Sequence, residues 1–147
     1  MTVTASVKTA TDRGWPVTPE ASDLLVERIA DLRAAVTSLA GQGLEEGIVE
    51  LELVQAARRL DTLESVRTRA KLVDDGSCAI GRRAVLKDEH GETITYEIVF
   101  PGDGEPTRGL ISADSPLGAA IIGARPGDVV DVDAPVGRWS ATVISVE

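Results

Sequence analysis

The chain has 147 residues, of which 43% are hydrophobic, and its 24 acidic and 15 basic side chains give a net charge of −9. This composition is sufficient for a folded core, and it disfavours free nucleic acid as the main partner, because non-specific binding requires clustered Lys and Arg. The single cysteine, Cys78, excludes an intramolecular disulfide and a cysteine-built metal site. No signal peptide and no membrane-spanning apolar run are evident, so we expect a cytoplasmic protein that does not contact membranes.

Residues 1–17 are polar and lack a sustained period, which predicts a flexible tail unless Trp15 docks on the structure that follows. A helix is then predicted over residues 19–40, because Thr18 can act as its N-cap and Pro19 suits the first helical position. A second helix is predicted over residues 44–73. Arg67 falls at a seam position of this helix, where Val66 and Ala70 must take its place, so we expect the last turns to pack more loosely than the middle.

The two helices carry apolar seams with the 4-3-4-3 spacing of a coiled coil. The short turn Gly41-Gln42-Gly43 between them favours an antiparallel arrangement, since glycine tolerates the backbone conformation that ends a helix. Residues 18–75 are therefore predicted to form a coiled-coil stalk. Its seams are Leu25, Ile29, Leu32, Val36 and Leu39 on the first helix, and Val49, Leu53, Ala56, Leu60 and Leu63 on the second.

Acidic residues without any basic neighbour follow the turn. One interpretation is that they form the solvated face of the second helix and favour its positive N-terminal end; the other is that they form a functional tip. The arginines farther from the turn have two interpretations. The first is that they form i,i+4 ion pairs, and the second is that they contact RNA or the acidic walls of a channel. The acids are Glu45, Glu46, Glu50 and Glu52, and the arginines are Arg28, Arg33, Arg58 and Arg59.

Beyond Gly76, alternating Val, Ile and Thr runs replace the heptads and predict a second domain over residues 76–147. Five short strands and one short helix, capped by Ser115, predict a curved antiparallel sheet folded over the helix. The predicted fold class is α+β. The strands are placed at residues 78–88, 92–100, 108–112, 128–132 and 138–146, and the helix at residues 116–123.

This second domain resembles the C-terminal domain of the bacterial Gre transcript-cleavage factors. The resemblance lies in the hairpin at residues 84–100, in the run Gly-Leu-Ile-Ser-Ala-Asp-Ser-Pro-Leu-Gly at residues 109–118, and in residues 119–123 and 127–132. It implies an FKBP-like fold, a coiled-coil stalk and RNA polymerase as the partner. In that family the C-terminal domain docks on the β′ rim of the polymerase secondary channel, and the stalk points toward the active centre.

The family's rim-contacting Asp-Ser-Pro motif falls on Asp114, Ser115 and Pro116. A second interpretation of the same residues is purely local, because Ser-Pro is a good helix start in any loop that enters a helix.

In the cleavage-competent members of the family, two tip carboxylates hold a second Mg²⁺ beside the metal of the polymerase. Glu45, Glu46 and Glu50 have suitable ligand chemistry. However, the family motif reads roughly Asp-Leu-Ser-Glu-Asn, with its acids three apart, whereas this chain has Gly-Leu-Glu-Glu-Gly at residues 43–47 and a shorter first helix.

The resemblance therefore implies a monomeric, non-enzymatic regulator that has no cofactor of its own and shares at most Mg²⁺ with the polymerase. It would not bind DNA directly, and nascent RNA is a further candidate contact. The alternative is a working cleavage factor, and a hairpin that pairs with another coiled-coil protein is a third hypothesis.

Other kinds of site have little support in the sequence. His90 is the only histidine and lies in a predicted turn, which excludes a histidine-built metal cluster. The glycines around Asp103 lack the following helix of a phosphate-binding loop. A prolyl isomerase would need an aromatic-lined pocket, for which the second domain offers only Tyr96, Phe100 and Trp139.

Overall fold

The computed structural model describes residues 14–41, 47–135 and 137–147, with residues 47–50 described by their backbone alone. Residues 1–13, 42–46 and 136 lie outside this set, and with them most of the predicted tail and of the predicted turn at residues 41–43. Along the described chain, strand β1 (Trp15–Val17) leads into helix α1 (Pro19–Gly41), which is followed by helix α2 (Gly47–Thr68) and strand β2 (Ala70–Leu72).

Helices α1 and α2 pack side by side and confirm the predicted hairpin, which we call the stalk. Thr18 is the predicted N-cap: its Oγ1 accepts the backbone N–H of Ala21 at 3.1 Å, and its carbonyl accepts that of Ser22 at 2.9 Å. Seam burial is graded along the stalk. Leu25, Ile29 and Leu63 are almost fully buried at the stalk base, whereas the seam positions farther out whose side chains are described are half-buried.

The predicted end of the second helix is wrong. The helix stops at Thr68, and Ala70–Leu72 instead form a strand that pairs in parallel with Trp15–Val17. Trp15 donates its backbone N–H to the carbonyl of Arg69 at 2.8 Å, and the Val17 side chain is fully buried. The docking of Trp15 that the sequence left open therefore occurs, and residues 15–17 belong to the folded structure.

The second half of the chain forms a five-stranded sheet. Its strands are β3 (Arg83–Lys87), β4 (Thr93–Val99), β5 (Leu110–Ser112), β6 (Val129–Ala134) and β7 (Gly137–Val146). Their order in the sheet is β5-β4-β3-β7-β6. Every neighbouring pair is antiparallel except β4 and β5, which run parallel, so the prediction of a purely antiparallel sheet is wrong at that edge. A 3₁₀ turn, Pro106–Arg108, reverses the chain before β5.

Two irregularities bend this sheet around helix α3 (Pro116–Ile121). The first predicted strand is shorter than expected because Gly81, with φ at +101°, breaks it, and the backbone of Ile80 bonds to β1 instead. The pairing of β3 with β7 also shifts register between Val85 and Leu86. Such a bulge increases the local twist of a strand. The result is the curved sheet over a short helix that the sequence predicted.

The stalk base and the sheet share one hydrophobic core. Leu25 and Ile29 from α1, together with Leu63 and Val66 from α2, belong to the same buried cluster as the inner face of the sheet. The expectation of a loose stalk base is therefore wrong, because Val66 rather than Arg67 faces the core. From the sheet and α3, this cluster includes Ala84, Leu86, Ile98, Ile121, Val130, Ala141 and Val143. Within the described ranges, no helix is long and apolar enough to cross a membrane.

Candidate functional site

The motif Asp114-Ser115-Pro116 lies on the surface, where β5 turns into α3. Ser115 adopts extended backbone angles and caps the helix: its Oγ accepts the backbone N–H of Gly118 at 3.1 Å and donates to the carbonyl of Ser112 at 2.6 Å. Pro116 occupies the first helical position, which needs no donor. The local interpretation therefore accounts for Ser115 and Pro116.

Asp114 is not required by the cap. Its side chain is exposed, and its carboxylate accepts a hydrogen bond from the Ser112 hydroxyl. The same Ser112 oxygen accepts the backbone N–H of Gly102 at 3.3 Å. Asp114 is thus an exposed negative charge held in place by a neighbouring hydroxyl, which is a suitable arrangement for a basic or polar partner.

A shallow cleft of about 360 Å³ adjoins this carboxylate. Its lining combines apolar side chains, two glycines and the motif residues Asp114 and Ser115. Such a cleft suits an aliphatic side chain next to a basic group. Its lining includes none of the three aromatic residues that a prolyl isomerase pocket would need. The lining residues are Gly102, Gly104, Pro106, Leu110, Ile111, Ser112, Asp114 and Ser115.

The sequence prediction missed a charged cluster between the two helices of the stalk and the sheet domain. One oxygen of the Asp103 carboxylate accepts a hydrogen bond from Arg28 of α1, and the other accepts one from Arg59 of α2. Arg59 also donates to the carbonyl of Pro101, and the guanidinium of Arg28 lies 5.6 Å from the centre of the Phe100 ring. In the sequence, Asp103 is marked only by the glycines on either side of it. Its arginine partners lie far away along the chain, so no local pattern indicates the cluster.

The i,i+4 pairing expected for the stalk arginines is therefore wrong for these two residues and also for Arg33. Arg33 bonds Glu64 across the hairpin, with its Nη2 2.7 Å from the Glu64 carboxylate. These cross-helix pairs join residues that only the folded hairpin brings together.

Two titratable groups between the stalk and the sheet domain, Asp75 and Cys78, have shifted pKa values. The pKa of the Asp75 carboxyl lies below its ordinary value of 3.8, chiefly because the Ser77 hydroxyl donates to it at 2.6 Å, with a further contribution from the charge of Arg125. Burial raises the pKa of the Cys78 thiol to about 12. Cys78 is therefore an inert core residue rather than a nucleophile.

Comparison with known proteins now identifies this arrangement. Residues 73–147 match the family model described as the C-terminal domain of transcription elongation factors GreA and GreB. The chain belongs to the GreA/GreB family.

Relatives in this family include both elongation factors and inhibitors. The transcription elongation factor GreA of Paracoccus denitrificans is 33% identical over 149 residues, which cover 89% of this chain and 96% of the relative. The transcription inhibitor protein Gfh1 of Thermus thermophilus is 34% identical over 110 residues, covering 71% of this chain and 69% of the relative. GreA of Lactococcus lactis is 35% identical over 95 residues, covering 60% of this chain and 61% of the relative.

A solved structure, the prokaryotic transcription elongation factor GreA/GreB from Nitrosomonas europaea, covers 90% of this chain and 98% of its own. It is 18% identical, with a TM-score of 0.46.

No contact among the described residues joins the predicted tip acids to the Asp114-Ser115-Pro116 motif. Glu45 and Glu46 lie outside the described residues, and Glu50 is described by its backbone alone, within α2. Among the described residues, no group of three or more His, Cys, Asp or Glu side chains could hold a metal ion.

His90 sits in the turn between β3 and β4, where its backbone N–H donates to Asp88 at 2.9 Å. This contact agrees with a turn role for His90.

Proposed function

We propose that this GreA/GreB-family chain is a transcription regulator that binds RNA polymerase at the secondary channel. The C-terminal domain would dock on the β′ rim through Asp114, Ser115 and Pro116, and the stalk would point toward the active centre. The observation that carries this proposal is the exposed Asp114 carboxylate, held by Ser112 at the edge of a partly apolar cleft. Family membership supplies the partner, since the motif matches that of the Gre factors at all three positions.

The position of the cleft relative to the stalk supports a combined docking and insertion. Only residues 101–104 separate the cleft from the stalk arginines, because Gly102 bonds Ser112 on one side and Asp103 bonds Arg28 and Arg59 on the other. A partner seated at Asp114 would therefore lie beside Arg28 and Arg59 of the stalk. From Arg28 to its end at Gly41, α1 would extend for roughly 20 Å, at 1.5 Å per residue.

We favour obstruction or modulation of the active centre over stimulation of RNA cleavage. The family's tip motif has its two acids three apart, whereas this chain reads Gly-Leu-Glu-Glu-Gly at residues 43–47, with adjacent acids and no asparagine after them. This departure from the motif favours a tip that does not supply two carboxylates to one Mg²⁺ ion. The protein would act in the cytoplasm as a monomer, without direct DNA binding, with nascent RNA as a further contact.

The alternative is a cleavage factor that rescues backtracked polymerase. In that case Glu45, Glu46 or Glu50 would help to hold a second Mg²⁺, which would stabilise the attacking and leaving oxygens during hydrolysis of the RNA by the polymerase.

Transcription on a backtracked elongation complex separates these two functions. We expect the wild-type chain to slow nucleotide addition without shortening the RNA, and the double variant Glu45→Ala/Glu46→Ala to lose this effect. A matched control, Asp31→Ala/Asp61→Ala, removes two exposed acids from the stalk away from the tip and should act as wild type. Rapid RNA shortening that depends on Glu45 and Glu46 would overturn the proposal of a non-cleaving regulator and would support the alternative of a cleavage factor.

A further inference from the structure

Besides the shared hydrophobic core, two sets of polar contacts attach the stalk to the sheet domain. The first is at the base, where the backbone N–H of Thr18 donates to the carbonyl of Ile80 at 3.1 Å and that of Ile80 donates to the carbonyl of Pro16 at 2.9 Å. The second is the Asp103 carboxylate, which bonds Arg28 and Arg59. Thr18 and Arg28 are ten residues apart on α1, so the two attachments are separated by roughly 15 Å along the helix.

The second attachment contacts both helices through a single side chain. Asp103 and Arg59 have only 28% and 25% of their side-chain surfaces exposed, so this pair is partly shielded from solvent. Arg28 also lies over the buried ring of Phe100, an arrangement that favours a cation. Because each helix bonds a different oxygen of the same carboxylate, a rotation of the stalk would stretch at least one of these contacts.

The loop that carries Asp103 is itself fixed to the sheet domain. The backbone N–H of Gly102 bonds Ser112, and that of Asp103 bonds the carbonyl of Phe100 at 3.0 Å. Gly102 has φ at +90°, and a Cβ built there would meet the guanidinium of Arg59. A larger residue at Gly102 would therefore strain the loop and displace the end of the Arg59 side chain.

We propose that Asp103 is a positioning residue that sets the angle between the stalk and the C-terminal domain. Ile29, the outermost fully buried residue of α1, adjoins Arg28, so the contacts of Asp103 with both helices act at the outer end of the shared core and oppose a tilt of the stalk there. Over the 23 residues of α1, a tilt of about 10° at the base would move the far end by roughly 6 Å. The inference rests on the proposed function, because the angle matters only if the far end of the stalk must reach a particular place in the polymerase.

The distance between two spin labels in the free protein tests the angle directly. Labels at Ala40→Cys, near the far end of α1, and Glu92→Cys, on the sheet domain, occupy exposed positions, whereas the native Cys78 is buried. We expect one narrow distance distribution for the parent protein and a distribution at least twofold wider for Asp103→Ala. The matched control Glu64→Ala removes an ion pair within the stalk and should leave the width unchanged.

An unchanged distribution in Asp103→Ala would overturn the proposal, because the hydrophobic base alone would then fix the angle. If Asp103→Ala does not fold, as judged by far-UV circular dichroism, Asp103→Asn decides in its place. This variant keeps the shape and loses the charge. Widening in Asp103→Asn would support the proposal, and a distribution like that of the parent protein would overturn it.

A second measurement links the angle to the polymerase. We expect Asp103→Ala to bind core polymerase within about twofold of wild type but to lose most of its effect on nucleotide addition. Full retention of that effect would overturn the positioning role. Failure of the proposed function has a different signature, since a wild-type chain that does not bind polymerase would still show the narrow distribution in the free protein.

Discussion

At the residue scale, contacts between near neighbours in the sequence were predictable and distant ones were not. The Thr18 and Ser115 caps follow from residue type, because each hydroxyl bonds a backbone N–H three residues away. The ion pairs of Asp103 join residues 44 and 75 positions apart. No local pattern encodes such pairs, since their geometry arises only when the stalk packs on the sheet domain.

The close approach of Gly118 to Ser112 gives a prediction about the candidate docking motif. A Cβ at Gly118 would lie 2.0 Å from the backbone oxygen of Ser112, so Gly118→Ala must displace either α3 or the loop before it. We expect a loss of about 2 kcal/mol or more in the free energy of unfolding, measured with urea. Gly41→Ala is the control, because a Cβ there meets nothing within 4 Å and should be neutral or slightly stabilising.

The hydrogen bonds of Asp75 predict a pH dependence. Its folded-state pKa lies below the ordinary value of 3.8, so the ionised carboxylate stabilises the fold above that pH, and this stabilisation is lost as the pH falls through the lower folded value. We expect Asp75→Asn to be less stable than wild type at neutral pH and to converge with it in acid. Urea midpoints measured from pH about 7 down to about 2 check this. A constant difference over the whole series would contradict it.

At the element scale, periodicity predicted the two helices correctly but not the end of the second. Heptad positions continue past Thr68, so the sequence alone favours helix there. In the folded chain, pairing of Ala70–Leu72 with Trp15–Val17 satisfies the backbone and buries Val17. The parallel edge pair β4–β5 was missed for a similar reason, since residue alternation predicts a strand but not the direction of its partner.

The graded burial along the stalk predicts which side-chain truncations lower the free energy of unfolding most. Leu63 is 1% exposed within the shared core, whereas Leu53 is half-buried farther along the stalk. We expect Leu63→Ala to lower the free energy of unfolding by about 3 kcal/mol and Leu53→Ala by less than half of that. Thermal or urea unfolding of both variants checks the ranking. Equal losses would contradict the picture of a stalk base that belongs to the core of the sheet domain.

At the scale of the whole molecule, the shared core and the Asp103 contacts join the stalk and the sheet domain. The overall architecture was predictable, because the heptads, the alternating runs and the resemblance of residues 109–118 to the Gre factors all led to the same fold. The junction was less predictable, since it depends on packing between segments that look independent in the sequence. The chain is therefore better described as one body with a projecting stalk than as two linked modules.

The central claim is that this body docks on RNA polymerase through Asp114. The most direct test is the affinity of a fluorescently labelled chain for core RNA polymerase of the same organism, with unlabelled GreA as competitor. We predict saturable binding that GreA displaces, and a loss of affinity of about tenfold or more in Asp114→Ala, equivalent to about 1.4 kcal/mol. Asp133→Ala, which removes an exposed acid from the β6–β7 hairpin, should bind as wild type. Absence of displacement by GreA, or equal affinity of Asp114→Ala and wild type, would contradict the account.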